Sequence, residues 1–269
     1  MQEALFLYLC IRISTTFGSS SDLRIYGGRD AQLGEFPYVV VLGHLHEDNN
    51  FELTCSCSAL SPTWSLTAAH CMDSNEAKGV IAYGDIIPGQ KFNVSKVLRV
   101  FPHPGYKSAG NAEEYETGNC YDIGLLRTNK IKIAQYGLLS AVDHTTITGH
   151  EVIVAGFGVT NGTKDFSGAI AANKTLQVFK GMISSCLEED FLLCSRLCVS
   201  PTCKQPSLIC GGDSGGPVIH ASGIVGVNGY HNIECEYFTD DHSLAQGSSV
   251  VQAVSPVIDW LTNTINSHS

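Results

Sequence analysis

The chain has 269 residues, a formal net charge of −10 and a hydrophobic fraction of 43%. This length exceeds the usual single-domain size, but all-β folds of this size occur as one domain, and the hydrophobic fraction allows a sizeable core. The negative charge argues against nucleic acid and against anionic membrane surfaces as partners.

The first predicted element is an apolar stretch from Ala4 to Ile13. It is short for a membrane span and lies where a signal peptide would be, although Glu3 and Arg12 are atypical of one. We therefore expect residues 1–18 to be a signal peptide of a secreted, extracellular protein. An ordinary buried N-terminal segment is the alternative.

The chain contains eleven cysteines, a number typical of an oxidising compartment. Because no Cys-x-x-Cys pair or zinc-type Cys/His spacing occurs, disulfides are favoured over a metal site, and we expect neither a metal nor a cofactor. Removal of Cys10 with the signal peptide leaves an even number. Sequons at Asn93, Asn161 and Asn173 are compatible with a secreted glycoprotein.

Short apolar or alternating runs, punctuated by 27 glycines, predict many short strands and an all-β fold. The predicted strands are Tyr38–Leu42, Leu53–Leu60, Phe92–Phe101, Ile123–Leu126, Glu151–Phe157, Thr175–Phe179, Pro217–His220, Ile224–Val227 and Val250–Val254.

The C-terminal residues predict the one convincing helix. Ser255 can cap it and Pro256 suits its first position. The helical spacing of its apolar residues supports this assignment, and these residues are Val257, Ile258, Leu261 and Ile265.

Three distant segments carry residues suited to acyl transfer. Ser214 lies among glycines in Gly212–Pro217, His70 lies in Thr67–Cys71, and Asp122 precedes an apolar run. A serine hydroxyl needs a base within hydrogen-bond reach, and that base needs a group to orient it. The order His, Asp, Ser is that of the chymotrypsin fold.

The chain resembles secreted serine proteases of the chymotrypsin–trypsin family from Arg24 to near the C-terminus. The landmarks that carry the resemblance are Arg24–Gly28, Phe36–Tyr38, Cys55, Thr67–Cys71, Asp122–Leu126, Gly156–Gly158, Cys210–Pro217 and Asp259–Trp260. The implied fold is two six-stranded antiparallel β-barrels with an active site between them. The protease domain would then span residues 25–269, with the barrels meeting near residues 132–144.

The resemblance also implies a role for each site residue. Ser214 would attack the scissile carbonyl, His70 would carry its proton, and Asp122 would orient the imidazole. The N–H groups of Gly212 and Ser214 would form the oxyanion hole. We therefore expect a serine endopeptidase that acts on protein or peptide substrates.

In this family, cleavage before an isoleucine frees an amino group that pairs with the aspartate before the catalytic serine. Here the cleavage would follow Arg24, remove the activation peptide of residues 19–24, and pair Ile25 with Asp213. An arginine at this point implies a trypsin-like activating protease. Tyr26 departs from the small aliphatic residue that is usual in the family.

Substrate preference is where the sequence departs most from trypsin-like members. The primary specificity position is Leu208, next to Ile209, and it offers no counter-charge for Lys or Arg. The pocket walls are expected at Gly229, Tyr230, His231 and Ser249. An apolar, constricted pocket favours small or medium uncharged side chains, and a preference for aromatic side chains is the runner-up. Gly229 also removes a hydroxyl that commonly supports the triad aspartate.

Family spacing implies the disulfides Cys55–Cys71, Cys186–Cys198 and Cys210–Cys235. The pairing of the remaining cysteines is open; Cys57–Cys120 and Cys194–Cys203 are plausible.

Two functions remain: an active protease, or a protease-like binding or decoy module that cuts poorly. We expect a monomer, and protein protease inhibitors as further partners.

Overall fold

The structure is a computed structural model that describes residues 28–47, 51–72, 79–84, 92–106, 120–158, 175–186, 195–202, 207–231 and 248–269. The expected signal and activation segments, including Arg24 and Ile25, lie outside these residues, as do Cys194, Cys203, Cys235, Asn161 and Asn173.

The described residues form thirteen strands and one α-helix. The strands are β1 (Arg29–Asp30), β2 (Val39–Leu45), β3 (Phe51–Ser61), β4 (Trp64–Thr67), β5 (Gly79–Tyr83), β6 (Asn93–Pro102), β7 (Gly124–Thr128), β8 (Glu151–Gly156), β9 (Gln177–Ser184), β10 (Arg196–Pro201), β11 (Pro217–His220), β12 (Gly223–His231) and β13 (Ser249–Ala253). The helix α1 is Ile258–Ser267.

The first barrel closes in the order β2-β3-β4-β7-β6-β5, with every neighbouring pair antiparallel. Its inward-facing side chains are large and fully buried, among them Trp64, Leu66, Ile81 and Leu125. Burial of such side chains contributes about 1.5–3 kcal/mol each. The barrel interior is therefore a packed core, and functional groups must lie at its rim.

The second barrel runs β9-β10-β13-β12-β11-β8, and a pairing of β8 with β9 closes it. Its core is richer in β-branched residues, including Val154, Ile183, Val199 and Val251. Such residues pack well on a pleated surface. The expected fold of two six-stranded antiparallel barrels is confirmed.

Each end of the described chain packs against the barrel formed by the opposite half. Strand β1, near the N-terminus, pairs with β9 of the second barrel at Val178 and Gln177. Helix α1 returns to the first barrel, where Leu261 is fully buried in the core. The ring of Trp260 lies 4.7 Å from that of His103, measured between centroids. These contacts tie the two barrels together.

The terminal helix forms as expected, but its predicted cap is wrong. The α-helix begins at Ile258, with Val257 at the N-cap position and no side-chain capping bond. A short 3₁₀ turn, Ser255–Val257, precedes it and contains Pro256. The Ser255 hydroxyl accepts a hydrogen bond from the backbone N–H of His144 (3.0 Å), so it serves the connection between the barrels.

All nine predicted strands overlap observed ones, whereas β1, β4, β5 and β10 were not predicted. Among the residues that the structure describes, no helix combines the length and apolar character needed to cross a membrane.

Candidate active site

His70 and Asp122 form a directly bonded pair at the rim of the first barrel. Strand β4 leads into a 3₁₀ turn, Ala69–Met72, that carries His70, and Asp122 lies just before β7. Asp122 Oδ2 is 2.7 Å from His70 Nδ1, and Asp122 Oδ1 accepts the backbone N–H of His70 at 2.9 Å. Because an ionised carboxylate only accepts, Nδ1 carries the proton and Nε2 is left as the basic nitrogen.

The two partners differ in their exposure to solvent. The side chain of Asp122 is 5% exposed, whereas that of His70 is 35% exposed. A buried carboxylate interacts more strongly with a developing imidazolium than an exposed one would. The pair is therefore arranged so that a substrate can reach the histidine but not the aspartate.

The second barrel places Ser214 close to the His70–Asp122 pair. Its hydroxyl donates to the carbonyl oxygen of Gly229 at 3.0 Å. A Cβ added at Gly229 would lie 3.8 Å from Asp122 Oδ2. Gly229 thus neighbours both the serine hydroxyl and the carboxylate, and the structure brings into one region the three residues that the sequence predicts from three distant segments.

A network of backbone hydrogen bonds holds the turn that carries Ser214. Gly215 N–H donates to Asn228 O (2.7 Å), and Asn228 N–H donates to Gly216 O (2.8 Å). From the first barrel, Ser56 N–H donates to Ser214 O (2.8 Å). The turn is therefore fixed by strand β12 on one side and by strand β3 on the other.

Two backbone N–H groups of this turn have no acceptor. Within the described ranges, neither Gly212 N–H nor Ser214 N–H donates a hydrogen bond. Gly212 has φ +94°, a conformation that residues with a Cβ rarely adopt. Gly212 and Ser214 are half-buried, so these two N–H groups beside a serine hydroxyl are open to an acceptor from outside the protein.

Asp213, which precedes the serine, is fully buried. Its carboxylate accepts Gly158 N–H at 2.7 Å and Cys210 N–H at 2.8 Å. A Cβ on Gly158 would lie only 2.3 Å from Asp213 Oδ2, so this approach requires glycine. The expected partner of Asp213, the amino group of Ile25, lies outside the described residues.

This arrangement is shared with a known family. A family model described as trypsin matches residues 25–261. The chain belongs to the trypsin family of serine endopeptidases.

Individual relatives agree with this membership. The chain is 30% identical to human transmembrane protease serine 5 over 217 residues, which are 74% of this chain and 43% of that protein, so it spans less than half of that relative. It is 24% identical to the venom peptide isomerase heavy chain of Agelenopsis aperta, covering 90% of this chain and 100% of that protein.

The fold of the trypsin family is also seen in a solved relative. The structure of neuropsin, a serine protease of mouse brain, superposes with a TM-score of 0.67 at 21% identity, covering 88% of this chain and 98% of that chain. The phenoloxidase-activating enzyme 1 of Spodoptera litura is 26% identical over 91% of this chain and 67% of that protein.

Three of the specificity residues expected from the trypsin family, Leu208, Ile209 and Ser249, have described side chains and are uncharged. Leu208 and Ser249 are fully buried, and Ile209 is 1% exposed. The Ser249 hydroxyl accepts the backbone N–H of Ile209 at 3.3 Å, which joins the two sides of the site. Tyr230 and His231 end strand β12, where His231 pairs with Ser249, but their side chains lie outside the described residues.

Two of the disulfides implied by the trypsin family are confirmed, Cys55–Cys71 and Cys186–Cys198. The first fixes the turn that carries His70 to strand β3. Cys210 is disulfide-bonded as well, and its expected partner, Cys235, lies outside the described residues.

The plausible pairing of Cys57 with Cys120 is wrong. Cys57 is a free thiol, fully buried in strand β3, whereas Cys120 is partly exposed and bonded to another cysteine. Burial raises the pKa of the Cys57 thiol to about 12. An even cysteine count therefore did not mean that every cysteine is paired.

A group of potential metal ligands lies beside the triad but is unsuited to a metal. Among the described residues, the ligand atoms of Cys55, His70 and Cys71 lie within 4.8 Å of one another. The two sulfurs are joined in a disulfide, so neither is the thiolate that a metal binds.

One contributor to the site was not found by sequence reasoning. Ser56, on strand β3, is fully buried and bonds to the Ser214 turn through its backbone and its hydroxyl. A serine between two cysteines of a strand carries no signal of its own, because only the folded chain brings it to the turn.

Proposed function

We propose that the chain is a secreted serine endopeptidase that cleaves peptide bonds through an acyl-enzyme formed on Ser214. The observation that supports this most directly is the meeting of the His70–Asp122 pair, the Ser214 hydroxyl and two unpaired N–H groups at one rim between the barrels.

In the first half of the reaction, Ser214 Oγ attacks the scissile carbonyl carbon while His70 Nε2 takes the hydroxyl proton. Rotation of the serine side chain would turn the hydroxyl from Gly229 O toward the imidazole. Collapse of the tetrahedral species breaks the C–N bond, and the imidazolium gives its proton to the leaving amine. In the second half, water repeats the attack on the ester and releases the acid and free Ser214.

The unpaired N–H groups of Gly212 and Ser214 would bind the oxyanion of each tetrahedral species. Removal of one such donor typically costs about 3–4 kcal/mol in the barrier. Because both donors belong to backbone already held by other contacts, little reorganisation is needed during the reaction.

Activity would depend on cleavage after Arg24. The new amino group of Ile25 would pair with Asp213, whose buried carboxylate already accepts two N–H groups next to the oxyanion turn. An ion pair at this buried position favours one arrangement of that turn. The substitution Arg24→Gln is expected to give a secreted but inactive precursor, and full activity of that variant would contradict the zymogen proposal.

The substrate residue before the cut would be uncharged. Leu208, Ile209 and Ser249 supply no negative charge to receive Lys or Arg. We expect small or medium apolar side chains to be preferred, with aromatic ones next. A panel of chromogenic peptides that differ only at this residue measures the order of kcat/KM; a strong preference for Arg would overturn it.

The alternative is a binding or decoy module with little turnover. It remains open because one relative is named as an isomerase and because Gly229 offers no side-chain hydroxyl to Asp122. A fluorophosphonate probe distinguishes the two after cleavage at Arg24. We expect label on the wild type and none on Ser214→Ala, whereas an unlabelled wild type beside a labelled control protease would favour the decoy.

The same proposal implies an extracellular location, a set of partners and an oligomeric state. The disulfides Cys55–Cys71 and Cys186–Cys198 and the exposed Asn93 fit an extracellular glycoprotein. Its partners would be protein or peptide substrates, a trypsin-like activating protease and protein protease inhibitors, and it would act as a monomer.

A further inference from the structure

The side chain of Ser56 joins the two barrels behind the oxyanion turn. Its hydroxyl donates to Gly212 O at 2.8 Å and accepts the backbone N–H of Phe157 at 2.9 Å. Ser56 belongs to strand β3 of the first barrel, whereas Gly212 and Phe157 belong to the second half of the chain. The residue is fully buried, so water does not compete for these bonds.

The backbone of Ser56 is tied to both parts of the catalytic site. Its N–H donates to Ser214 O (2.8 Å), and its carbonyl accepts the hydroxyl of Thr67 (2.9 Å). Thr67 ends strand β4, three residues before His70. Ser56 therefore contacts the carbonyls on either side of Asp213 and the segment that carries the base.

The Gly212 carbonyl needs such a contact because glycine restrains its own backbone poorly. A glycine adopts positive and negative φ about equally well, so the direction of the Gly212 N–H is not set by local sterics. A hydrogen bond to Gly212 O fixes the following peptide plane, and with it the conformation at Gly212. Without the hydroxyl, Gly212 O and the buried N–H of Phe157 would both lose a partner, and an unsatisfied buried polar group destabilises the arrangement that contains it. Rotation of the Gly212 backbone toward other partners would relieve part of this cost and misdirect its N–H.

We propose that Ser56 is a positioning residue that holds the Gly212 N–H in its oxyanion-binding direction. The inference rests on the proposed role of the Gly212 and Ser214 N–H groups. Ser56 touches neither the substrate nor the reacting atoms, and it acts through the Gly212 carbonyl.

The test compares Ser56→Ala with Ser58→Ala in the full chain after cleavage at Arg24. Ser58 is a matched control, because it lies two residues further along the same strand, is equally buried, and has no partner for its hydroxyl. Ser56→Ala is expected to lower kcat about tenfold or more with KM changed less than about threefold, because the lost interaction is made to the transition state. Ser58→Ala is expected to retain wild-type kcat.

A transition-state analogue separates positioning from a general loss of structure. A peptide aldehyde forms a tetrahedral adduct with the serine and needs the oxyanion donors, whereas the corresponding peptide alcohol does not. Ser56→Ala should weaken the aldehyde by the same factor as kcat and leave the alcohol unchanged. Ser56→Thr, which keeps a hydroxyl at this position, should recover kcat relative to Ser56→Ala.

Failure of the inference can be told from failure of the proposed function. If the wild type is active and Ser56→Ala matches Ser58→Ala in kcat and aldehyde affinity, Ser56 does not position the turn. Equal weakening of aldehyde and alcohol would likewise overturn the positioning role. If the wild type neither cleaves peptides nor takes the fluorophosphonate, the proposed function itself has failed.

Discussion

The two barrels contribute to the site in different ways. The first supplies two side chains that bond to each other, His70 through Nδ1 and Asp122 through Oδ2, and a second bond from the backbone N–H of His70 to Asp122 Oδ1 supports this pair. The second supplies a turn whose position depends on backbone contacts and on glycines, with Gly212 at φ +94° and Gly158 against the Asp213 carboxylate. In the proposed mechanism, proton transfer would therefore depend on side-chain chemistry, and charge stabilisation on backbone geometry.

This difference has a consequence for mutation. A change in the first barrel's pair alters the chemistry of a group and leaves the fold in place. A change in the second barrel's turn moves backbone donors, so small steric additions there should affect catalysis even though no catalytic side chain is replaced.

The largest expected effect comes from Asp122→Asn. Asp122 accepts both the backbone N–H and the Nδ1–H of His70. Asparagine offers one oxygen and one NH2 donor, so its oxygen would keep the backbone N–H while its NH2 donates to Nδ1, and the ring proton shifts to Nε2. By analogy with such substitutions in related triads, kcat should fall roughly 10⁴-fold with little change in KM. Steady-state kinetics on an uncharged chromogenic peptide measures this. A fall of less than about tenfold would mean that Asp122 does not orient the base.

A smaller but still large effect is expected for Gly158→Ala in the second half. The new Cβ would lie 2.3 Å from Asp213 Oδ2, so the carboxylate and the adjoining turn must shift. Displacement of an oxyanion donor typically costs about 10²–10³ in kcat. Gly79→Ala in the first barrel is the matched control, because its Cβ would meet its nearest neighbour at an ordinary 3.5 Å. Equal activity of the two variants would contradict the sensitivity assigned to the second barrel.

Gly229→Ser tests both barrels at once, because Gly229 belongs to the second barrel but lies next to the Asp122 carboxylate of the first. A Cβ there is 3.8 Å from Asp122 Oδ2, which puts a serine hydroxyl within reach of that oxygen. Hydrogen bonds to charged groups contribute about 1.5–3 kcal/mol, so kcat should exceed that of Gly229→Ala by about tenfold. Gly229→Ala is the control, because its Cβ makes the same 3.2 Å contact with Val250 O as the Cβ of the serine variant. The difference in kcat between the two variants therefore measures the effect of the hydroxyl alone. Equal kcat values would show that Asp122 needs no further donor.

The smallest effect concerns pH and the contact between the first barrel and helix α1. Partial burial, with rings of Tyr121 and Trp260 at 4.6 and 4.7 Å, lowers the pKa of His103. The unfolded chain binds this proton near pH 6.5, and the folded chain only at lower pH. The stability associated with His103 is therefore fully present above the unfolded-state pKa and is lost as pH falls from there through the lower folded-state pKa. His103→Phe should show a smaller drop in Tm than the wild type between about pH 7.5 and pH 5.5, and equal drops would contradict the assignment.

The triad and the barrels could be predicted because their signals are local. His70, Asp122 and Ser214 each lie in a short segment of distinctive composition, and the strands show apolar runs bounded by turn residues. The helix cap could not be predicted, because the Ser255 hydroxyl is taken by His144, which is 111 residues away.

The same limit applies to Cys57 and Ser56. Both residues lie in strand β3, whose sequence predicts only a strand of the barrel. The thiol of Cys57 is unpaired because the core encloses it, and the hydroxyl of Ser56 bonds to the Gly212 carbonyl because the fold brings the two together. The activation residues Arg24 and Ile25 and the side chains of Tyr230 and His231 remain predictions.

Each end of the described chain packs against the opposite barrel, and this arrangement has a consequence for cleavage of the chain between the barrels. A single cut between Thr128 and Glu151 would separate two pieces, each retaining an element that packs in the other: β1 in the second barrel's sheet and α1 on the first barrel's core. The pieces would stay associated without a peptide bond between them, as interlocked parts of one interface. Cleavage of the connecting segment by another protease molecule would then leave Ser214 close to His70.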